Sequence, residues 1–220
     1  DFSFYSRYYG CIPIKLNTYA IYQVENALVA LTAIEELEMK VSKEAMQTGM
    51  QQCKWEGRME EILPGVFLDG AHNEDGIDAF VASVKEDGCR GCRWLLFSAV
   101  ADKEYCIMKE NLLGSGLFDI IYAAPLKTAR GIAKKELENI FADSRSSREK
   151  AKISDSTIDN DTEKNKLENT VTDYKIRILD STSQGFREIL SLKKEEDFVY
   201  IVGSLYLVGE IKELNLDTQR

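Results

Sequence analysis

The chain has 220 residues, of which 44% are hydrophobic and 30% are charged, and its formal net charge is −9 at pH 7. This length and composition suit a globular protein with one large domain, or one domain with part of another. The negative charge, which no basic stripe offsets, disfavours nonspecific binding to nucleic acid or to an anionic membrane. No apolar run approaches the roughly 20 residues that cross a bilayer, so no membrane partner is expected.

The chain begins at Asp1 without a Met and without the basic and apolar pattern of a signal peptide, so we expect a piece of a longer protein. The cysteines are odd in number and scattered, which favours free thiols in the cytoplasm. They lie at positions 11, 53, 89, 92 and 106. The pair Cys89-x-x-Cys92 has no second pair or nearby histidine to complete a tetrahedral zinc site. We therefore predict no metal site within this chain.

The first part of the chain reads as strands followed by helices. Residues 1–20 alternate apolar and polar side chains, which predicts short antiparallel strands. Helical spacing runs from Tyr22 to about Leu37, and a second helix is predicted from an N-cap at Ser42. The regular pattern that follows is different, so we place a domain boundary between residues 1–56 and residues 57–220.

From residue 66 onward, strand and helix alternate five times, after an edge strand at 59–62. The run Trp94–Val100 is almost wholly apolar, as in a central parallel strand. Asp102 is expected to cap the helix that follows. The alternation predicts an α/β fold with a Rossmann-like, mostly parallel doubly wound sheet, preceded by a short α+β remnant of another domain. The other predicted strands are 66–69, 118–122, 175–179 and 198–202, and the helices start near 73, 102, 133, 184 and 205.

One stretch interrupts this pattern. Residues 144–172 contain no aromatic residue and few aliphatic residues. Such a segment cannot bury enough apolar surface to offset the entropy lost on ordering. We predict a disordered insertion between a helix and a strand.

The segment Asp69-Gly70-Ala71-His72-Asn73 places polar side chains at the carboxyl end of a strand, where open α/β sheets bind ligands. His72 is the only histidine of the chain. The spacing alone leaves two interpretations open. In the first, Asp69 only caps the next helix and His72 lies at the start of that helix. In the second, Asp69 binds ligand hydroxyls and His72 lies near a reacting group.

This segment resembles the Asp-Gly-Ala-His-Asn-Pro signature of the folylpolyglutamate synthase / dihydrofolate synthase family, part of the Mur-ligase-like group of ATP-dependent ligases. The cell-wall members of that group typically have Tyr at the position of Gly70. Tyr22, Glu56 and Glu74 depart from the family, which has His, Pro and Pro there. Four other segments resemble family motifs in the family's order: Gln23-x-x-Asn26-Ala27, Trp55-Glu56-Gly57-Arg58-Met59-Glu60, Ala101-Asp102-Lys103-Glu104 and Gly203-Ser204-Leu205-Tyr206-Leu207-Val208-Gly209-Glu210.

The resemblance implies an ATP site between two domains. Asn26 would contact the adenine, Arg58 the phosphates or the base edge, and Asp69 the ribose hydroxyls, and each role suits the chemistry of the side chain. The alternatives are structural. Asn26 would only cap a helix, and Arg58 would only form an interdomain ion pair.

The resemblance also implies that His72 faces the reaction centre and that Ser204 lies near the incoming glutamate. The alternative for Ser204 is a hydroxyl that serves a tight Gly-Ser turn. Arg130 follows the carboxyl end of a strand and could meet a carboxylate. Asp102 and Lys103 are better explained as a helix start than as a site.

By resemblance, the whole enzyme would use ATP and Mg²⁺ to join L-glutamate to a folate or dihydropteroate carboxylate through an acyl phosphate. The sequence contains no phosphate-binding loop of the form G-x-x-x-x-G-K-[ST]. The chain therefore resembles the end of a central ATP-binding domain plus a Mur-ligase-like C-terminal domain. Its partner would be the missing N-terminal ATP-binding domain, which would also hold most Mg²⁺ ligands, and the chain alone is expected to be inactive. The alternatives are a cell-wall Mur-type amino-acid ligase and a noncatalytic module that binds a nucleotide or a partner.

Overall fold

The computed structural model describes residues 1–38, 40–142 and 175–218. The predicted insertion at 144–172 lies outside the described residues. The strands are β1 (Phe2–Ser6), β2 (Gly10–Ile14), β3 (Glu60–Leu63), β4 (Val66–Asp69), β5 (Arg93–Phe97), β6 (Ile120–Ala123), β7 (Lys175–Ile178) and β8 (Phe198–Val202). The helices are α1 (Gln23–Glu36), α2 (Lys43–Gln52), α3 (Glu74–Lys85), α4 (Tyr105–Gly114), α5 (134–142), α6 (Thr182–Leu192) and α7 (Leu205–Thr218). Within these residues, no helix combines the length and apolarity needed to span a membrane.

The first part of the chain is a hairpin with two helices. Strands β1 and β2 pair antiparallel, with Phe2 opposite Ile14. The predicted N-cap of α2 is confirmed, because the Ser42 Oγ accepts a hydrogen bond from the Ala45 backbone N at 3.1 Å. A small core joins hairpin and helices, made of Phe4, Ile12, Ile14, Leu31 and Met46.

The second part is built on a six-stranded sheet with the order β3-β4-β8-β5-β6-β7. Only β3, at one edge, runs antiparallel to its neighbour; the other five strands are parallel. The last strand in sequence, β8, lies between β4 and β5, and its residues 199–202 are buried. These findings confirm the predicted α/β class and mostly parallel sheet.

Helices cover both faces of this sheet because successive strand residues point to opposite sides. Phe67, Leu95 and Tyr200 pack with residues of α3, α4 and α5. The neighbouring residues Leu68 and Leu96 pack with residues of α6 and α7. The sheet is therefore doubly wound, with one core on each face.

At the carboxyl ends of the parallel strands, the chain leaves neighbouring strands towards opposite faces of the sheet. The chain leaves β4 and β5 towards α3 and α4 on one face, and it leaves β8 towards α7 on the other. Such switch points open a crevice outside the carboxyl ends of the strands. Asp69 and Val202 are register partners at the ends of β4 and β8, so the segments that begin with Gly70 and Gly203 leave the sheet side by side.

The prediction that Asp102 caps α4 is wrong. The helix begins at Tyr105, three residues later, with Glu104 at the N-cap position and no side-chain cap. Asp102 instead accepts a hydrogen bond from Arg130, because a guanidinium offers a charged partner. The strand predicted as 94–100 also ends earlier, at Phe97.

Candidate functional site

Asp69 is the last residue of β4 and is only 1% exposed. Its Oδ2 accepts hydrogen bonds from the Tyr22 hydroxyl at 2.8 Å and from the Met59 backbone N at 3.0 Å. Its Oδ1 accepts one from the Ala71 backbone N at 2.8 Å. The side chain that caps α3 is Asn73, whose Oδ1 accepts from the Gly76 N. Asp69 is therefore not a helix cap but a link between three separate parts of the chain.

The charges around Asp69 fix the direction of the Tyr22 hydrogen bond. Burial raises the pKa of the Asp69 carboxyl, although hydrogen bonds from Tyr22, Ala71 and Met59 and the charge of Arg58 oppose that rise. Burial and the Asp69 charge also raise the pKa of the Tyr22 phenol far above its usual range. Tyr22 therefore keeps its proton and is the donor to Asp69.

This hydrogen bond limits what else Asp69 can bind. A carboxylate offers about four acceptor positions, and Tyr22, Met59 and Ala71 occupy three of them. Contact with both hydroxyls of a ribose, as the resemblance implies, requires one of these donors to move away. Tyr22, which occupies one of these acceptor positions, stands where the family has His.

A cavity of about 480 Å³ lies between the first part of the chain and β3; Met59, which donates to Asp69, lines it, but Asp69 itself does not. Its volume is within the range of small-molecule sites. Two of the predicted residues, Asn26 and Arg58, line it. Its wall also contains Leu16, Asn17, Thr18, Tyr19, Gln23, Ala27, Ala30, Met50, Cys53, Lys54, Trp55, Glu56, Met59, Glu60 and Glu61.

Asn26 faces this cavity from the first turn of α1. Its Nδ2 donates to the Gln23 Oε1 at 2.9 Å, which leaves the second N–H and the amide oxygen for a ligand. The N-cap position of α1 is held by Tyr22, and no side-chain cap is formed there. The interpretation of Asn26 as a helix cap is therefore wrong.

Arg58 is half-buried at a turn with two residues at positive φ, Gly57 at 65° and Met59 at 47°. Positive φ is unusual for a residue such as Met, and the bond from the Met59 N to Asp69 helps to hold it there. Among the described residues, Arg58 forms no salt bridge. Its charge acts on Asp69 and Tyr22 and remains available to an anion in the cavity.

His72 does not line the cavity. Its Nδ1 lies 2.9 Å from the Gly70 carbonyl oxygen. A carbonyl only accepts, so Nδ1 carries the hydrogen, and in the neutral ring Nε2 presents a lone pair to a ligand. The half-buried ring is thus oriented by its own turn.

Ser204 is buried, and its Oγ accepts a hydrogen bond from the Tyr206 backbone N at 3.1 Å. This geometry serves the turn from β8 into α7. The neighbouring Leu205 reaches the Gly70 turn, because a Cβ added at Gly70 would lie 2.4 Å from the Leu205 Cδ2. The His72 and Ser204 turns therefore touch, but they lie outside the cavity lined by Asn26 and Arg58.

The described residues offer no donor set for magnesium. No group of three or more His, Cys, Asp or Glu side chains within them is arranged to hold a metal ion. A resident Mg²⁺ does not fit the described residues.

Sequence reasoning missed the aromatic side chains Tyr19, Tyr22 and Trp55. Tyr22 and Trp55 stand in segments that resemble family motifs, and that resemblance could have identified them as site residues. Their roles depend on contacts between distant positions, such as the 47 residues between Tyr22 and Asp69, and local patterns do not carry such contacts.

Comparison with known proteins confirms the resemblance. The chain is 31% identical over 118 residues to the dihydrofolate synthase/folylpolyglutamate synthase of Bacillus subtilis (strain 168), a match that covers 51% of this chain and 27% of that protein. It is 22% identical over 195 residues to the protein of the same name from Buchnera aphidicola subsp. Acyrthosiphon pisum (strain APS), with 88% of this chain and 40% of that protein covered. No family model matches the chain.

Solved structures support the fold. E. coli FolC in complex with DHPP and ADP matches with a TM-score of 0.72 and 21% identity, over 98% of this chain and 44% of that one. Mycobacterium tuberculosis folylpolyglutamate synthase complexed with ADP matches with a TM-score of 0.72 and 19% identity, over 94% of this chain and 43% of that one. The chain thus spans less than half the length of the relatives that it matches.

Proposed function

We propose that this chain forms one wall of the nucleotide cleft of an ATP-dependent ligase of the folylpolyglutamate synthase / dihydrofolate synthase type. The observation that carries the proposal is that Asn26 and Arg58 line one cavity and that Met59, also in its wall, is bonded to Asp69. These residues come from two parts of the chain that we propose to be separate domains, 1–56 and 57–220. A cleft between domains is a usual place for a ligand.

The cavity has the groups that an adenine nucleotide requires. Tyr19 and Trp55 bring aromatic faces to its wall, and such faces stack on a purine. The Asn26 amide can donate and accept at the edge of the base. The Arg58 guanidinium matches phosphate oxygens with two parallel N–H groups. Asp69 lies outside the cavity lining and is 1% exposed, so its ribose contact would require a movement that uncovers the carboxylate.

In the whole protein, the carboxylate of folate or dihydropteroate would take the γ-phosphoryl group of ATP and release ADP. The amine of L-glutamate would then attack the acyl phosphate, form an amide and release phosphate. The missing N-terminal ATP-binding domain would supply the phosphate-binding loop and the Mg²⁺ ligands. Closure of the two domains would keep water from the acyl phosphate.

The joint between the two proposed domains is tied to α7. The Lys212 Nζ lies 2.7 Å from the Glu56 Oε2 and 2.9 Å from the Glu60 Oε2. The Gly70 N donates to the Gly57 carbonyl oxygen at 2.7 Å. These contacts anchor the segment around the proposed boundary, residues 56 and 57, to the second part of the chain. The five free cysteines support a cytoplasmic location.

The test is turnover by the longer protein that contains this chain. ADP release should require both L-glutamate and a folate or dihydropteroate. Arg58→Ala should raise the KM for ATP by about tenfold or more, because one hydrogen bond to a charged group is worth about 1.5–3 kcal/mol. Arg90→Ala is the matched control. Arg90 is exposed and precedes β5, at the amino end of that strand and away from the cavity. Its loss should therefore leave the KM for ATP unchanged.

Other outcomes would favour the alternatives. Turnover with a cell-wall precursor and an amino acid, but not with a folate, would assign a Mur-type ligase. No ADP release with any carboxylate and amino acid would leave a noncatalytic nucleotide-binding module.

A further inference from the structure

Arg58 lies on a short turn, residues 56–60, where the two proposed domains join. The backbone of this turn is unusual, since the residues on both sides of Arg58, Gly57 and Met59, have positive φ. A residue such as Met rarely adopts positive φ, so this shape persists where surrounding contacts enforce it. The contacts that hold the turn therefore also determine where the Arg58 side chain lies.

The Glu60 carboxylate closes this turn. Its Oε2 accepts a hydrogen bond from the Gly57 backbone N at 2.6 Å. The Gly57 carbonyl oxygen accepts from the Gly70 N at 2.7 Å, so both backbone polar groups of Gly57 are bonded. A hydrogen bond from a backbone N–H to a carboxylate is stronger than one between neutral groups. Glu60 thus fixes the residue that directly precedes Arg58.

Helix α7 holds that carboxylate in place through one lysine. The Lys212 Nζ lies 2.9 Å from the Glu60 Oε2, the same oxygen that accepts from Gly57, and 2.7 Å from the Glu56 Oε2. The side chains of Lys212 and Glu60 are 26% and 27% exposed, whereas that of Glu56 is 83% exposed. Because exposed ion pairs contribute little, the pair with Glu60 is the one that orients the turn. The same helix packs on the turn directly, since a Cβ added at Gly57 would lie 3.2 Å from the Val208 Cγ1.

Lys212 does not line the nucleotide cavity, whereas Arg58 and Glu60 do. We propose that Lys212 and Glu60 are positioning residues that hold the turn so that Arg58 is preorganised for the anionic part of a nucleotide. Nucleotide affinity would thereby depend on the packing of α7. This inference rests on the proposed function of Arg58. A binding side chain with loose support loses affinity, because binding must then order it.

Simple electrostatics predicts the opposite effect for Glu60. Its negative charge lies in the cavity wall and repels an anionic nucleotide, so removal of that charge alone would strengthen ADP binding. If Glu60 holds the Arg58 turn, its removal weakens ADP binding instead. Glu56 provides the matched control. It also lines the cavity and pairs with Lys212, but it does not accept the Gly57 hydrogen bond.

The test is calorimetric titration of the 220-residue chain with ADP, a readout that does not depend on a fluorophore beside the turn. Glu60→Ala should raise the Kd by about fivefold or more, because binding must then order the turn. Lys212→Met keeps the apolar stem without the charge and should raise the Kd in the same direction, whereas Lys212→Arg should restore it. Glu56→Ala should leave the Kd within about twofold or lower it.

The effect should also pass through Arg58. In an Arg58→Ala background, Glu60→Ala should raise the Kd no further, which a general loss of stability would not produce. Urea denaturation checks that each variant is folded at the titration temperature, and Lys212→Met decides the question if Glu60→Ala is not.

Unchanged or tighter ADP binding in Glu60→Ala would overturn the inference, and so would an equal loss with and without Arg58. ADP binding that depends on Arg58 but not on Glu60 or Lys212 rejects this inference and leaves the proposed function in place. Failure of the unaltered chain to bind ADP would reject both.

Discussion

At the scale of single residues, the Tyr22–Asp69 hydrogen bond defines the site. It joins the two parts of the chain through a carboxylate that is 1% exposed. A buried carboxylate that loses a donor carries the cost of desolvation without compensation. The donor of this bond, Tyr22, stands where the family has His.

Tyr22→Phe tests this role. Removal of the hydroxyl should lower the free energy of unfolding by about 1–3 kcal/mol, because Asp69 remains buried with one donor fewer. Urea denaturation at pH 7 measures the change. Tyr19→Phe is the matched control, because Tyr19 also lines the cavity but is 47% exposed. That change should cost less than about 0.5 kcal/mol. Equal losses of unfolding free energy in the two variants would show that the Tyr22–Asp69 hydrogen bond stabilises the fold no more than the Tyr19 hydroxyl does.

At the scale of elements, the turns that leave β4 and β8 differ in how closely they are packed. A Cβ at Gly70 would meet the far end of the exposed Leu205 side chain. A Cβ at Gly203, where φ is 121°, would lie 2.4 Å from the Ser98 backbone oxygen and 2.9 Å from the Phe97 ring. The Leu205 side chain can move to make room, whereas the Ser98 backbone and the buried Phe97 ring cannot.

Gly203→Ala should therefore lower the free energy of unfolding by about 2–4 kcal/mol, the sum of backbone strain and overpacking. Gly70→Ala should cost less, about 1 kcal/mol, since the exposed Leu205 side chain can turn and the Gly57 carbonyl oxygen, at 3.3 Å, must shift only slightly. Chemical denaturation of both variants provides the measurement. A Gly70→Ala variant as unstable as Gly203→Ala would contradict the described packing of these turns.

The helices and strands could be predicted from the sequence where burial imposes a regular repeat on the apolar residues. Helix α3 repeats its apolar residues at helical spacing because one face meets the sheet, and β8 is continuously apolar because both faces are covered. The insertion of β8 between β4 and β5 could not be predicted, because strand order depends on pairing between distant segments. The same holds for Asp102. Its pairing with Arg130, 28 residues away, prevailed over a local prediction of a helix cap.

Some residues of the candidate site could also be predicted from the sequence, and others could not. Asn26 and Arg58 stand in recognisable segments, and the structure brings both to one cavity. Asp69 was identified by its motif, but its burial and its bond to Tyr22 could not be predicted from local pattern. The contributions of Tyr19 and Trp55 depend on the packing of α1 and β3 around the cavity.

At the scale of the whole molecule, the chain carries the proposed nucleotide wall on a doubly wound sheet. The relatives that it matches are more than twice as long as the part that it covers. We propose that the groups for the β- and γ-phosphates lie in the remainder of the protein. The base should still find its contacts in this chain alone.

Fluorescence titration of the 220-residue chain with ADP tests this central claim most directly. Trp55 lines the cavity and is 63% exposed, whereas Trp94 is buried, so a bound purine should quench Trp55 in a saturable way. Arg58→Ala should weaken binding by about tenfold or more, and Arg90→Ala should not change it. A saturable quench that depends on Arg58 is the predicted result. No ADP-dependent change, or the same Kd with and without Arg58, would contradict the nucleotide wall.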